Sequence, residues 1–333
     1  MQKLKIGTRG SKLALWQAEF VAEKLREKNF DVELVKIQTT GDKILDAPLA
    51  KIGGKGLFTK ELEVQMSAGK IDLAVHSLKD VPTELPQNFK IAAITKRAQP
   101  FDAFVSDKFS ALADLPKNSV VGTSSLRRAA QILKIRPDLQ IKNLRGNVDT
   151  RLKKLSAGEF DAIILAQAGL ERLGYSDRIK QILTEIIPAA GQGALAIEIR
   201  ADDLQTFNAV KFLNDADTCT AIKVERDFLQ TVEGSCQIPV GIFAEVEGEK
   251  ISARAIISST DGKNFSRLFV KSLSKSEIFL GSAKPFINSP TMCRASAALP
   301  PFPQVINLFP ARKASQIFSA EIFKSFLQTS SAG

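Results

Sequence analysis

The chain has 333 residues, 44% hydrophobic and 25% charged, with a formal net charge of +10, three cysteines and one histidine. That length exceeds one ordinary hydrophobic core and implies two or three domains, and the composition is that of a globular chain. No apolar run reaches the ~20 residues of a membrane-spanning helix, no basic-then-apolar leader opens the chain, and Cys219, Cys236 and Cys293 lack C-x-x-C spacing, so membrane insertion, export, a disulfide framework and a metal site are all disfavoured and the cytoplasm is the expected compartment.

Residues 3–7 alternate as a strand does, and from Ser11 the set Leu15, Ala18, Val21, Ala22 and Leu25 recurs at helical spacing. TRGS (8–11) thus marks a strand-to-helix turn whose outward N–H groups favour an anion. Arg9 and Ser11 would strengthen that site, although Ser11 serves equally as a plain N-cap. A strand over 32–38 leads into an aperiodic stretch from Thr40 to Gly56. Its glycines and lysines lack phosphate-loop spacing and read as a mobile lid. A helix over 58–67 and a strand over 71–76 follow, and HSLKDVP (76–82) places Lys79 and Asp80 just past the strand's carboxyl end, where open α/β sheets bind ligands. Asp80 also fits a simple turn residue. His76, on an apolar strand, reads as structural.

Periodicity lapses over 95–102, which suits a crossing between domains. Strand 120–122 gives way to a helix opening at Ser124 or Ser125 with Arg127 and Arg128 in its first turn, where cations oppose the helix dipole unless an anion is bound. The scheme repeats with strand 140–143, a loop containing Arg145, a helix from about Asp149 carrying Arg151, and strand 160–165; Arg172 follows after a short turn. Such alternation predicts parallel sheets. A strand over 194–199, helices over 203–213 and 216–231, and strands over 238–247, 250–258 and 265–271 complete the body, with Cys219 packed on the second helix. Cys236 falls on a Gly-Ser loop, open to another molecule, although a lone cysteine also fits a small buried apolar residue. From Lys271 onward seven Lys/Arg stand against two Glu, half of the net charge of +10, and beyond about residue 275 prolines recur and acids nearly vanish, so 276–333 reads as an atypical tail, either poorly ordered or the product of a shifted reading frame.

Seven segments, TRGS (8–11), AKIGGKGLF (50–58), HSLKDVP (76–82), GTSSLRR (122–128), LRGNVDTR (144–151), PAAGQGA (188–194) and GSCQIPVG (234–241), resemble the porphobilinogen deaminase family in order and spacing. The resemblance runs from about residue 3 to about residue 270. It implies an α/β fold of two hinged, periplasmic-binding-protein-like domains with mixed sheets, 1–96 with 193–212 and 97–192, plus a small α+β C-terminal domain, 213–275, carrying the cofactor cysteine. It further implies a transferase of tetrapyrrole (haem or chlorophyll) biosynthesis that condenses four porphobilinogen molecules head to tail, releasing ammonia, to give hydroxymethylbilane. The primer would be a dipyrromethane that the apo-enzyme makes from its own substrate and holds by a thioether to Cys236.

Each pyrrole brings two carboxylates, which gives the arginines a purpose they lack as solvated surface charges. By resemblance, Lys79 and Asp80 are catalytic and also contact the cofactor, together with Thr123, Ser125, Arg127, Arg128, Arg145 and Gln192. Arg9, Ser11, Gln17, Arg151 and Arg172 bind substrate, and Asp42, Lys55 and Phe58 are lid contacts. No metal, nucleic acid or membrane partner is expected, and the chain is expected to be monomeric. A non-catalytic hinged binding protein for a small polycarboxylate would use the same cleft and arginines. A nucleic-acid binder would need more stacking aromatics than one Trp and one Tyr supply.

Overall fold

A computed structural model describes residues 2–43, 59–232 and 239–274. Cys236, Lys55, Phe58, the lid beyond residue 43 and the tail 276–333 lie outside the described residues. Asp42 falls in a helical turn, Thr40–Lys43, and its side chain is likewise outside them.

Strand β1 (Lys3–Arg9) runs into helix α1 (Lys12–Arg26), which Ser11 caps by accepting from the Ala14 N–H. The predicted apolar stripe is the buried face: Ala18, Val21, Ala22 and Leu25 pack on Leu4, Ile6, Leu73, Val75, Leu195, Ile197 and Ile199. Each large aliphatic side chain taken from water there contributes roughly 1.5–3 kcal/mol. Strands β2 (Asp31–Ile37), β3 (Leu73–Ser77), β4 (Phe89–Ile94) and β10 (Leu195–Arg200) complete a sheet ordered β2-β1-β3-β10-β4, with α2 (Lys60–Ser67) against it. β1 is parallel to β2 and β3, whereas β10 is antiparallel to β3 and β4.

The second sheet repeats the plan. β5 (Asp102–Val105), β6 (Val120–Gly122), β7 (Gln140–Lys142), β8 (Ala162–Ala166) and β9 (Gln181–Leu183) are ordered β7-β6-β8-β5-β9. β6 is parallel to β7 and β8, and β5 is antiparallel to β8 and β9. Helices α3 (Leu126–Ile135), α4 (Val148–Ser156) and α5 (Gln167–Arg172) connect them. The βαβ alternation therefore produces the parallel pairs, as expected. The antiparallel strand in each sheet is the one that arrives from the other half: β5 after the 95–101 crossing, β10 after the 184–194 crossing.

The two crossings lie side by side. The Ala98 N–H donates to the Gly193 carbonyl at 3.2 Å, and Gly193 has φ +94°, where an added Cβ would meet the Ala98 oxygen at 2.6 Å. Only glycine tolerates both conditions. A third, antiparallel sheet, β11 (Val240–Glu247), β12 (Lys250–Ser258) and β13 (Phe265–Ser274), packs on α7 (Ala216–Thr231), which follows α6 (Leu204–Val210). Buried Glu225 of α7 joins it to both crossings. It accepts from Arg97 at 2.6 and 3.3 Å, from the Gly191 N–H at 2.7 Å and from the Ala244 N–H at 2.9 Å. No helix among the described residues is long and apolar enough to cross a membrane.

Candidate active site

Ser125 caps α3, accepting from the Arg128 N–H, and so places Arg127 and Arg128 in the first turn as the sequence requires. The anion that offsets the unfavourable dipole is supplied by the chain itself. Asp102, the first residue of β5 and fully buried, accepts from Arg127 Nη1 at 2.7 Å and from Arg128 Nε and Nη2 at 2.9 and 2.7 Å. Burial works to raise the Asp102 pKa, but the charges and hydrogen bonds of the two arginines outweigh it and hold the carboxyl well below the usual range. Both guanidiniums are only 6% exposed. Arg127 Nη1 also donates to the Ile187 carbonyl at 2.7 Å and Arg128 Nη1 to the Ile164 carbonyl at 3.0 Å.

Gln192 links this cluster to the first half. Its Nε2 donates to the Pro100 carbonyl at 2.7 Å and to Asp102 Oδ1 at 2.9 Å, and its Oε1 accepts from Lys79 Nζ at 3.3 Å. Lys79 and Asp80 form a one-turn 3-10 helix, Leu78–Asp80, directly after β3, and both keep exposed surface. Enclosure by the surrounding protein first, and the Arg128 charge second, lower the Lys79 ammonium pKa to about 8, against the pull of Asp80 and Asp102.

Arg151, on α4, is lowered to about 10, chiefly by burial and then by Arg128 and Arg145, with Asp80 acting in the opposite sense. Its Nε donates to the Gly146 carbonyl at 2.8 Å. Lys79 feels the charges of Arg127, Arg128, Asp80 and Asp102, and Arg151 those of Arg128, Arg145 and Asp80, so five cations and two carboxylates form one electrostatically linked group. Arg145 Nη1 and Arg127 Nε are buried with no hydrogen-bond partner among the described residues. Donors of that kind are costly to leave unmade and suit an anionic ligand.

The remaining expected residues are spread more widely. Thr123 is buried beside the cap, with its Oγ1 accepting from the Ser125 N–H at 3.2 Å. Gln17 is buried and donates to Ser77 Oγ at 2.8 Å, at the entrance to the Lys79–Asp80 turn. Arg9 ends β1, half-buried. Arg172 ends helix α5 rather than following a short turn; its Nη2 donates to the Gly193 carbonyl at 2.7 Å, its guanidinium lies 5.6 Å from the Trp16 ring centre, and burial lowers its pKa to about 10. His76 is buried against Glu198 of β10, Nε2 to Oε2 at 2.8 Å, within the sheet. Asp102, Glu198, Glu225 and Arg97 escape sequence reasoning. Their arginine, histidine and glutamate partners lie 25 to 128 residues away, and no local pattern announces such a buried pair.

The family model for the porphobilinogen deaminase dipyromethane cofactor binding domain matches residues 4–208, and that for the porphobilinogen deaminase C-terminal domain matches 219–278. The chain belongs to the porphobilinogen deaminase family. It is 50% identical over 285 residues to the porphobilinogen deaminase of Trichlorobacter lovleyi, covering 84% of this chain and 91% of that one. With the porphobilinogen deaminase of Nitratiruptor sp. it shares 53% over 265 residues, 78% of this chain and 84% of the other. The C-terminal family match stops at 278, close to where the sequence changes character. Among solved structures, a nutrient-binding protein from Burkholderia cenocepacia bound to methionine aligns with a TM-score of 0.41 and 15% identity over 62% of this chain and 89% of its own. At that score the likeness carries no argument, and the architecture rests on the strand order itself.

Proposed function

We propose that this chain carries out the porphobilinogen deaminase reaction in tetrapyrrole biosynthesis, joining four porphobilinogens head to tail with release of ammonia, and that the cationic cluster around Asp102 is its carboxylate-binding wall. The observation that carries the site assignment is the excess of fixed, buried guanidinium, with unpaired donors on Arg127 and Arg145, facing Lys79 and Asp80. The dipyrromethane cofactor fits that chemistry because its two pyrroles bring carboxylates for these donors. Cys236 is its point of attachment, with Lys79, Asp80, Thr123, Ser125, Arg127, Arg128, Arg145 and Gln192 around it. When bound it would supply the electron-rich pyrrole carbon to which the first substrate is joined, each later substrate joining the ring added before it.

The protein groups do the rest. Arg9, Ser11, Gln17, Arg151 and Arg172 orient the incoming acetate and propionate groups. Loss of ammonia leaves the substrate methylene electron-poor and spreads positive charge onto the pyrrole nitrogen; the Asp80 carboxylate, accepting that N–H, stabilises the charge. Lys79, whose pKa near 8 keeps a proton available yet transferable near neutrality, donates to the departing amine, and the Asp80 carboxylate takes up the proton released from the acceptor pyrrole carbon as the new carbon–carbon bond forms.

Strand membership supports the division into 1–96 with 193–212, 97–192 and 213–275. A monomeric cytoplasmic enzyme without nucleic-acid or membrane partner completes the reading. The test is intact mass together with turnover. The purified chain should exceed its sequence mass by two pyrrole units, and Cys236→Ser should lose the increment. Asp80→Asn should keep the increment while turnover collapses. Unmodified protein that still consumes porphobilinogen would refute the reading.

A further inference from the structure

The turn that carries Lys79 and Asp80 is held at both ends. At its entrance the Leu78 N–H donates to the Ala194 carbonyl at 3.0 Å. At its exit three successive carbonyls, those of Val81, Pro82 and Thr83, converge on one guanidinium, that of Arg226 on α7. Nη1 reaches Val81 at 3.3 Å, and Nη2 reaches Thr83 at 2.9 Å and Pro82 as well. One turn further along α7, Gln230 Nε2 donates to Glu84 Oε1 at 3.3 Å and extends the seam.

Two features make this arrangement more than packing. Residues 81–88 belong to no strand or helix, so the chain after Asp80 has no ladder to fix it. Moreover a cavity of about 240 Å³, lined by Leu78, Thr83, Ile94, Cys219, Ile222 and Arg226 among others, lies between the turn and α7. Leu78 and Val81 are buried in an apolar cluster with Ile94, Ala194, Ala196 and Ile222, so the side chains flanking the turn are packed and the Arg226 fork adds the hold on the backbone carbonyls that follow it. A planar guanidinium presents its donors from separate nitrogens in a fixed fork and so holds three carbonyls in one geometry, whereas an ammonium presents three donors from a single rotating nitrogen. The adjacent acid, Asp227, is engaged by Lys223 at 2.7 Å.

We propose that Arg226 is a positioning residue for the deaminase reaction: its fork fixes the backbone following Asp80 and thereby the place of the Asp80 carboxylate. The inference rests on the assignment of Asp80 as the catalytic carboxylate. A displacement of about an ångström at a reacting group costs on the order of tenfold to a hundredfold in rate, so the effect belongs in kcat.

The experiment uses holoenzyme carrying Arg226→Met, Arg226→Lys, Asp80→Asn and the Arg226→Met/Asp80→Asn pair, with porphobilinogen as substrate and intact mass as the check on cofactor loading. Arg226→Met should keep the cofactor mass and a KM within about twofold while kcat falls about tenfold or more. Arg226→Lys should recover part of the loss. In the Asp80→Asn background Arg226→Met should cause no further loss of the residual rate. Wild-type kcat in Arg226→Met, or an equal further loss in the double variant, would overturn the Arg226 link alone. Near-normal turnover of Asp80→Asn would overturn the Asp80 assignment and the link together. Should Arg226→Met fail to load cofactor, Arg226→Lys decides: lowered kcat at unchanged KM supports positioning, and unchanged kcat overturns it.

Discussion

In the first sheet the fully buried Glu198 pairs with His76 across β10 and β3, inside the sheet, and the groups assigned to chemistry stand outside it on the exposed turn after β3. In the second sheet the fully buried Asp102 binds the assigned residues themselves, Arg127 and Arg128. The strand order is the same in both halves, yet one buried acid pairs within its sheet and the other holds two residues assigned to the site. The difference follows from chain position: Glu198 lies mid-strand, whereas Asp102 is the first residue of the strand that enters from the crossing, where α3 begins.

Removing the second acid gives the largest expected effect. Asp102→Asn leaves two buried guanidiniums without a counter-charge and should cost about 3–5 kcal/mol in urea unfolding at neutral pH, with loss of the cofactor mass increment. Because the arginines depress the folded-state pKa of Asp102, its stabilisation is present above the unfolded value of ~3.9 and is lost as pH falls through the lower folded value. The gap between parent and variant should therefore persist at neutral pH and close only in strong acid. A stable, fully loaded Asp102→Asn would erase the contrast between the halves.

The turn in the first half should respond in rate instead. If the Lys79 ammonium donates the proton, kcat falls as pH rises through about 8, and Lys79→Gln should lower kcat roughly a hundredfold and remove that alkaline limb from the pH profile. Glu198→Gln should sharpen the comparison from the other side. It weakens the buried bond to His76 and should cost about 1–3 kcal/mol of stability in urea unfolding while kcat of the folded fraction stays unchanged. The smallest effects belong to the two matching caps: Ser11→Ala and Ser125→Ala should each cost about 1 kcal/mol. If kcat falls more for Ser125→Ala than its thermal midpoint accounts for, the serine also contacts a ligand; equal small losses mark both as caps.

Much of the scaffold was legible. The stripe Ala18, Val21, Ala22, Leu25 became the buried face of α1, and Ser125 became a cap, because both signals are carried by residues three and four apart. β4, β5 and β9 were missed. β5 is buried along its whole length, and β9 has three residues, so neither shows the alternation that betrays a half-buried strand. The antiparallel insertions were equally silent, since β5 pairs with strands about 60 and 80 residues on, and no local rule fixes such a register. At the site, the dipole conflict at Arg127 and Arg128 correctly demanded an anion. The periodicity around Asp102 could not say that the anion was internal.

Residue order alone thus determined the family, the residue types at the site and the helices and strands whose periodicity is local, because backbone geometry turns short spacings into faces and caps. Only the folded chain decided which buried polar groups pair: Asp102 with two arginines, Glu225 with Arg97, Glu198 with His76, and the Arg226 fork with three carbonyls. Such pairings depend on burial and on contacts between distant segments, and the energy of a charge is set by where it ends up relative to water and its partner, which no linear pattern encodes.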